Sequence, residues 1–250
     1  MGDFEGRDGT AVVLGANGGL GSAIARELVA RGSTVALTYR TDATALDGLV
    51  GDNARGYRLD LVDADACRAV IDRIVAEHGA IHTLVYAAGP HVPMTHLSRV
   101  PPETMRTQLD SDVAAFFNAV HPALPHLRAA RGSIVAVTTA ATTRFPIRDG
   151  LSSAPKAAIE ALVRALAVEE GRYGVRANCV GPGMLTDGMA DRLIRSGDLD
   201  ERALEVARGN IPLQRFGTAQ DIAEAVCFLA SDRAGFVSGQ KLDVDGGYGA

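Results

Sequence analysis

Cysteine is scarce in this chain. Cys67, Cys179 and Cys227 are odd in number, widely spaced and set in apolar stretches, which argues against a disulfide framework and reads as reduced core thiols. No grouping of histidine, cysteine and carboxylate has the spacing of a metal site, so no metal is expected. Long hydrophobic runs are missing too, and nothing approaches the ~20 apolar residues that span a bilayer. The opening stretch, MGDFEGRDGT, carries acids and no apolar centre, unlike a signal peptide. Charge of one sign is not in excess: the formal net charge is −5, so neither nucleic acid nor a membrane is an expected partner. No repeat, low-complexity tract or Pro/Gly/Ser-rich linker divides the 250 residues. What these absences leave is a soluble, cytoplasmic, single-domain protein. Its 47% hydrophobic and 22% charged residues are ordinary for a chain with a sizeable core.

What is present is a regular alternation. Short β-branched or apolar runs at 10–14, 33–38, 55–59, 82–86, 133–138, 175–180 and 241–244 read as buried strands. Between them apolar residues recur at three- and four-residue spacing. Leu20, Ile24 and Leu28 mark one helix, and Val70, Ile71, Ile74 and Val75 a second; Ile159, Leu162, Val163 and Leu166 mark a third, and Ile222, Val226 and Leu229 a fourth. Strands fed by helices imply parallel pairing with right-handed crossovers. The expectation is one α/β domain over residues 1–250, with a seven-stranded parallel sheet and helices on both faces. The least regular segment, 184–212, mixes glycines with Asp187, Asp191, Arg192, Arg195, Asp198 and Asp200. It follows the sixth strand, at the edge where open α/β sheets bind ligands. A substrate lid is expected there, with a solvated surface insertion as the alternative.

The first strand ends in LGANGGLGSAIARELVARG. Gly15 lets the chain turn sharply, Gly19 brings backbone amides toward a pyrophosphate, and Gly21 lets the helix pack on the sheet. Asn17, Gly18 and Leu20 complete the loop and join the expected cofactor-binding set. The helix amino terminus then offers unpaired N–H groups and partial positive charge to phosphates.

This Gly-x-x-x-Gly-x-Gly spacing resembles that of the short-chain dehydrogenase/reductase family, and the likeness runs along nearly the whole chain. Asp60 and Leu61, in YRLDL, match the family's adenine-contacting aspartate and its neighbour. YAAG, with Ala88 and Gly89, is similar to the family's Asn-Asn-Ala-Gly after the fourth strand. GPG, with Pro182 and Gly183 and then Thr186, resembles the turn bordering the nicotinamide, and 215–247 resembles the last helix, loop and strand. The resemblance implies a Rossmann fold, a nicotinamide cofactor, a small-molecule substrate and a homotetramer or dimer. Where an acid after the second strand would grip the NAD ribose, this chain has Thr38-Tyr39-Arg40-Thr41. Arg40 offers a permanently charged donor to a 2′-phosphate, so NADP(H) is favoured over NAD(H).

The resemblance also exposes a gap. The family's Tyr-x-x-x-Lys falls on Ser152 and Lys156 in LSSAPKAAIEALVRAL, its serine on Thr139 and its asparagine on Asp112. Ser152 and Lys156 share a helical face, and Pro155 places the helix start near Ser152 or Ser153. Thr139 can hydrogen-bond a substrate oxygen and Lys156 can hold the nicotinamide ribose. The phenol is missing, and general acid–base catalysis is worth ~10²–10⁴ in rate. Three readings stay open. The first is reduction of a polarised C=C, as in family dienoyl-CoA reductases, which share Ser-x-x-x-Lys but use a tyrosine where this chain has Ala141. The second is another acid, His91 or Asp112, with an arginine ion pair as the alternative role for Asp112. The third is loss of hydride transfer, leaving a nucleotide-binding protein, a non-redox enzyme or an inactive partner subunit. Arg144 and Arg148 border the expected pocket as candidate anion ligands. The leading expectation is an NADP(H)-dependent reductase of a carbonyl or conjugated enoyl group on a small acyl or polyketide-like substrate.

Overall fold

The computed structural model describes residues 2–90, 92–186 and 201–250. Seven strands form one sheet in the order β3-β2-β1-β4-β5-β6-β7. They are β1 (Thr10–Leu14), β2 (Val35–Tyr39), β3 (Ala54–Arg58), β4 (Ile81–Tyr86), β5 (Ser133–Val137), β6 (Arg176–Pro182) and β7 (Lys241–Val244). Every neighbouring pair is parallel. The expected strands are all there, displaced by at most two residues at an end, but β3 and β7, at the two edges of the sheet, are only partly buried. The central strands are apolar on both sides because helices cover both faces of the sheet. Ala11 and Val13 of β1 enter one core layer, with Ile24 and Leu28 of α1 (Gly19–Ala30) and Ile222 and Val226 of α7 (Ala219–Ala230). Val12 and Leu14 enter the other, with Ile71 and Ile74 of α2 (Ala64–His78), Phe116 and Leu127 of α4 (Ala115–Ala130), and Ile159 and Val163 of α5 (Gly150–Glu170). Each such buried aliphatic contributes ~1.5–3 kcal/mol.

Two shorter helices, α3 (Pro102–Leu109) and α6 (Glu201–Gly209), lie outside these layers. Cys67, Cys179 and Cys227 are buried and unbridged, and burial pushes their thiols up to about 11, 12 and 12. Among the described residues no helix is long and apolar enough to cross a membrane. No group of three His, Cys, Asp or Glu residues there could hold a metal.

One boundary differs from expectation for a physical reason. The helix α5 begins at Gly150, not near Ser152 or Ser153, so Pro155 lies inside it, beyond the first turn. The proline forfeits an intrahelical bond, at a cost of ~3 kcal/mol. It is buried together with Leu151, Ile159, Val163 and Leu166 on the same helix, and that packing overrides the local preference.

After β3 the chain crosses to the far side of β1 to add β4, so the strand order reverses between β1 and β4. Ligands of open α/β sheets sit beyond the carboxyl ends of the strands at such a point.

Near the opposite, amino-terminal ends of the strands, His82 of β4 is 1% exposed, stacked on Phe4 with ring centroids 5.8 Å apart. Its ring nitrogens lie 3.3 Å from Ser33 Oγ and 3.0 Å from Thr83 Oγ1. Burial, helped by the Arg7 charge, pushes the imidazole down to about 3. The folded chain therefore refuses a proton that the unfolded chain accepts near pH ~6.5. Stability from this group is complete above that pH and is lost progressively as pH falls toward 3, at up to ~1.4 kcal/mol per pH unit. Urea titrations at pH 7 and pH 5 should show native stability falling more steeply than that of His82→Gln. Equal slopes would contradict this account.

Candidate active site

The crevice starts at the turn after β1. Gly15 has φ +81, and a Cβ there would come within 2.8 Å of Ala88 Cα. Its amide donates to Thr38 Oγ1 at 3.1 Å, tying the turn to β2. A Cβ on Gly21 would sit 2.2 Å from Gly15 O, so the bare glycine lets α1 close on its own loop. Gly19 is the opposite case, since a Cβ there would meet nothing within 4 Å. Gly18 caps α1 without any side-chain hydrogen bond, leaving first-turn amides available to an anion. Asn17 Nδ2 donates to Asp42 O at 3.4 Å, and Leu20 packs against the adjoining core. A closed turn below and an open helix end above fit the diphosphate of a dinucleotide.

Beyond β2 and β3 a cleft is lined by Arg40, Thr41, Arg58, Leu59, Asp60 and Ala66. Arg40 is exposed there. Arg58 Nε donates to Arg40 O at 3.2 Å, which places a second guanidinium at the rim. Sequence reasoning missed Arg58; the signal was its register, opposite Tyr39 in the β2–β3 pair. The acid nearest Arg40 in sequence, Asp42, is committed elsewhere, accepting from Thr44 N at 2.8 Å and Thr44 Oγ1 at 2.7 Å. Those bonds hold its carboxyl below the usual range. Asp60 Oδ1 accepts from Val62 N at 3.2 Å, and Leu61 O accepts from Asn118 Nδ2 at 3.1 Å. The loop that carries the adenine-side residues is thereby fixed to α4.

At the other end of the crevice, Lys156 Nζ donates to Asp112 Oδ1 at 2.8 Å and to Ala88 O at 3.4 Å. A Cβ on Gly89 would lie 3.2 Å from the same ammonium. Asp112 is 1% exposed and sits in a π-helical turn, Asp110–Ala114, between α3 and α4. A buried carboxylate requires a partner, and here it is Lys156 rather than the arginine considered from sequence. Tyr86, the last residue of β4, completes the cluster. Its hydroxyl donates to Asp112 O at 3.0 Å and lies 3.3 Å from Oδ1, with the ammonium 5.5 Å from the ring centroid. Burial and the Asp112 charge raise the phenol well above its ordinary range, so it stays protonated and anchors the carboxylate. Nothing local in YAAG announced this bond, because residue 112 is brought to it by the fold.

Thr139 and Ser152 stand at the end of β5 and the start of α5, without a hydrogen bond between them. Thr139 Oγ1 accepts from Ala141 N at 3.1 Å, which leaves its own proton to donate. Ser152 is half-buried, and its hydroxyl has no partner among the described residues. Asp149, which sequence reasoning passed over, precedes α5 without making a side-chain cap. Burial pushes its carboxyl up to about 6.

The remaining expected residues separate. Arg144 is occupied at the carboxyl terminus, donating to Tyr248 O at 2.9 Å and lying 4.6 Å over the Tyr248 ring. Arg148 is exposed. Pro182 ends β6, and Gly183 N donates to Val244 O at 3.0 Å, where a Cβ would lie 2.5 Å from Asp245 Cα. That approach alone demands glycine. Thr186 Oγ1 lies 3.3 Å from Gly217 O. His91 and residues 187–200 of the expected lid, with all six of its named charges, lie outside the described residues.

Residues 15–249 match the family described as Enoyl-(Acyl carrier protein) reductase. The chain is 36% identical over 247 residues to cis-4-hydroxycyclohexanecarboxylate dehydrogenase of Sinomonas cyclohexanicum, covering 96% of each chain. It is 32% identical over 251 residues to 3-oxoacyl-(acyl-carrier-protein) reductase FabG of Escherichia coli K12, covering 98% of each. Among solved structures, a short-chain type dehydrogenase/reductase from Mycobacterium ulcerans superposes with TM-score 0.89 at 29% identity, over 98% of this chain and 91% of that one. A tyrosine-to-phenylalanine variant of ElxO with NADPH bound superposes with TM-score 0.88 at 25% identity, over 96% and 98%.

Proposed function

Since the chain belongs to the short-chain dehydrogenase/reductase family, we propose that it is an NADP(H)-dependent oxidoreductase acting on a carbonyl or conjugated enoyl group of a small acyl or polyketide-like substrate. The observation that carries this reading is Lys156, held by Asp112 at 2.8 Å against Ala88 and Gly89, in the same crevice as the glycine turn. The turn residues Gly15, Asn17, Gly18, Gly19, Leu20 and Gly21 hold the diphosphate; Asp60, Leu61, Ala88, Gly89, Pro182, Gly183 and Thr186 border the adenosine and nicotinamide ends. When bound, the dinucleotide supplies hydride. Thr139 donates a hydrogen bond to the substrate oxygen, Ser152 lies beside it, and Lys156 positions the nicotinamide ribose. Segment 184–212 is proposed as the substrate lid, its residues 187–200 lying outside those described. Assembly into a homotetramer or dimer is part of the same proposal.

A second reading, a nucleotide-binding protein without redox activity, is favoured by the serine at position 152. Loss of NADPH absorbance with panels of ketones and enoyl thioesters decides between the two. Turnover by the native protein that disappears in Lys156→Ala supports the oxidoreductase. Binding of NADPH without turnover of any panel member supports the second reading.

The cofactor preference has its own test. With Arg40 and Arg58 at the rim and Asp42 turned away, Arg40→Asp removes a charge-assisted hydrogen bond to the 2′-phosphate, worth ~1.5–3 kcal/mol, and adds repulsion. Titration should show NADPH affinity falling at least ~10-fold while NADH affinity changes little. Tighter NADH than NADPH binding by the native protein would overturn the preference.

A further inference from the structure

The reductase reading above assigns no proton source among the described residues. Resting on that reading, we propose that Asp149 is the catalytic acid, giving its proton to the oxygen of a substrate carbonyl held beside Ser152 and Thr139. On a helix at ~100° and ~1.5 Å per residue, positions 152 and 156 fall on one face. Asp149 is the N-cap of α5, with φ −95 and ψ 0, and stands about one turn before Ser152 at the helix end from which the Ser152–Lys156 face runs.

The setting of Asp149 is not that of an ordinary cap. Aspartate before a helix normally accepts from the second or third amide with its side chain. Here the main-chain oxygen of Asp149 takes Ser152 N at 3.0 Å and Ser153 N at 2.9 Å. The Ser153 hydroxyl donates to that oxygen at 2.9 Å, and the carboxyl makes no cap bond. The residue before it, Arg148, has φ +73, a left-handed backbone that a non-glycine residue adopts only when its surroundings enforce it. The enforcing contacts are visible. Thr95 N donates to Arg148 O at 3.0 Å, and a Cβ on Gly150 would lie 2.7 Å from Leu97 Cδ1. The segment 95–100 thus packs against the start of α5.

The charged and titratable groups on the surrounding elements are His96 and Arg99 on that segment and Glu103 and Arg106 on α3. Asp110 and Asp112 stand on the π-helical turn, and Arg144 and Arg148 on the loop itself. None pairs with Asp149 among the described residues. Burial without a counter-charge keeps its carboxyl protonated to about pH 6, against the pull of the helix dipole, which favours the anion.

The neighbouring candidates among the described residues are otherwise engaged. Asp112 is held by Lys156, and Tyr86 is tied to Asp112. Ser152 is an aliphatic alcohol, a far weaker acid than a carboxyl. In the proposed step a hydride from the reduced nicotinamide forms the new C–H bond and the carbonyl π bond breaks. The proton of Asp149 goes to the oxygen, the nicotinamide is oxidised, and the Asp149 carboxylate recovers a proton from water.

The test uses the full chain with NADPH and a 3-oxoacyl thioester, and compares Asp149→Asn with His91→Gln. Asp149→Asn should lower kcat by ~10²–10⁴ while NADPH affinity by fluorescence titration stays unchanged, and His91→Gln should leave kcat nearly unchanged. Native kcat should be flat at low pH and fall as pH rises through the titration of the acid, a limb absent from Asp149→Asn. Infrared difference spectra, without substrate, should show a protonated-carboxyl band lost near pH 6 in the native protein and missing from Asp149→Asn. A native enzyme that reduces the thioester while Asp149→Asn does so equally well overturns the role of Asp149 alone. So does a carboxyl band lost only with ordinary carboxylates near pH ~4. A native protein that binds NADPH but reduces no carbonyl overturns the reductase reading and the acid together.

Discussion

In an Asp149→Asn background, restoring tyrosine by Ser152→Tyr should recover little carbonyl reduction, whereas Ser152→Tyr combined with Asp112→Asn should recover about 10²-fold more. The reason lies in the 2.8 Å contact between Lys156 and Asp112. A phenol has a reference pKa of ~10, and it serves as an acid near neutrality only when a cation lowers that value. A lone ammonium ~5 Å away supplies ~3 kcal/mol at an effective dielectric near 20, or ~2 pKa units. With a carboxylate against the same ammonium, an approaching phenol meets a dipole, and most of that field cancels. Asparagine at 112 keeps an acceptor for Lys156 and frees its charge. The Tyr86 hydroxyl retains its 3.0 Å bond to the main-chain oxygen of residue 112, so the π-helical turn keeps its anchor. Rates of NADPH oxidation with a 3-oxoacyl thioester across the four combinations give the answer. Equal recovery by the single and the double substitution would mean that Asp112 does not restrain the lysine field.

Lys156→Met should destabilise the protein by ~3–5 kcal/mol, and adding Asp112→Asn should return most of that. Removing the ammonium strands a carboxylate whose side chain is 2% exposed, beside a lysine side chain itself only 13% exposed. An uncompensated buried charge is far more costly than the loss of a solvated pair. Arg73, paired with Glu77 at 2.8 Å on the surface of α2, is the natural control, and Arg73→Met should barely register. For a chain of this length the Lys156→Met loss corresponds to a thermal midpoint lower by roughly 6–20 °C. Urea titration of the two single substitutions and the double reads the coupling directly. A loss no larger than that of Arg73→Met would show that water reaches Asp112 and that the pair is not part of the core. Nucleotide binding by the double substitution would separate the ribose-holding role of Lys156 from its structural one.

Both results depend on a contact that neither residue's neighbours in the chain foretell. The sequence placed Asp112 and Lys156 in the same functional set by resemblance, but not in each other's grasp, and an arginine was the partner weighed. Tyr86 was visible as part of YAAG, yet its bond crosses from β4 to a turn 26 residues away. Asp149 could be read as an ordinary residue before a helix, because the packing of segment 95–100 against the start of α5 leaves no mark in its vicinity. Arg58 becomes a neighbour of Arg40 only once β2 and β3 are in register. Pro155 misled in the other direction, since its local preference for a first turn lost to the burial of the α5 face.

Other features carried their meaning locally. The spacing of Gly15, Gly19 and Gly21 names three different steric demands, and the turn shows why each differs. Gly15 and Gly21 admit no side chain, while Gly19 faces open space. The apolar runs gave the strands: five are buried strands, which tolerate few polar residues, while β3 and β7 at the sheet edges are only partly buried. The helical stripes at Ile24 and Leu28, or Ile222 and Val226, gave the faces that meet the sheet. Periodicity and glycine stereochemistry act over a turn or two of chain, so sequence alone determined the α/β alternation and the nucleotide turn. Charge pairing, burial and proton affinity depend on what distant segments bring within about 3 Å. Only the tertiary structure could therefore decide which cation faces Asp112, that Asp149 has no side-chain partner among the described residues, and which two arginines share one rim.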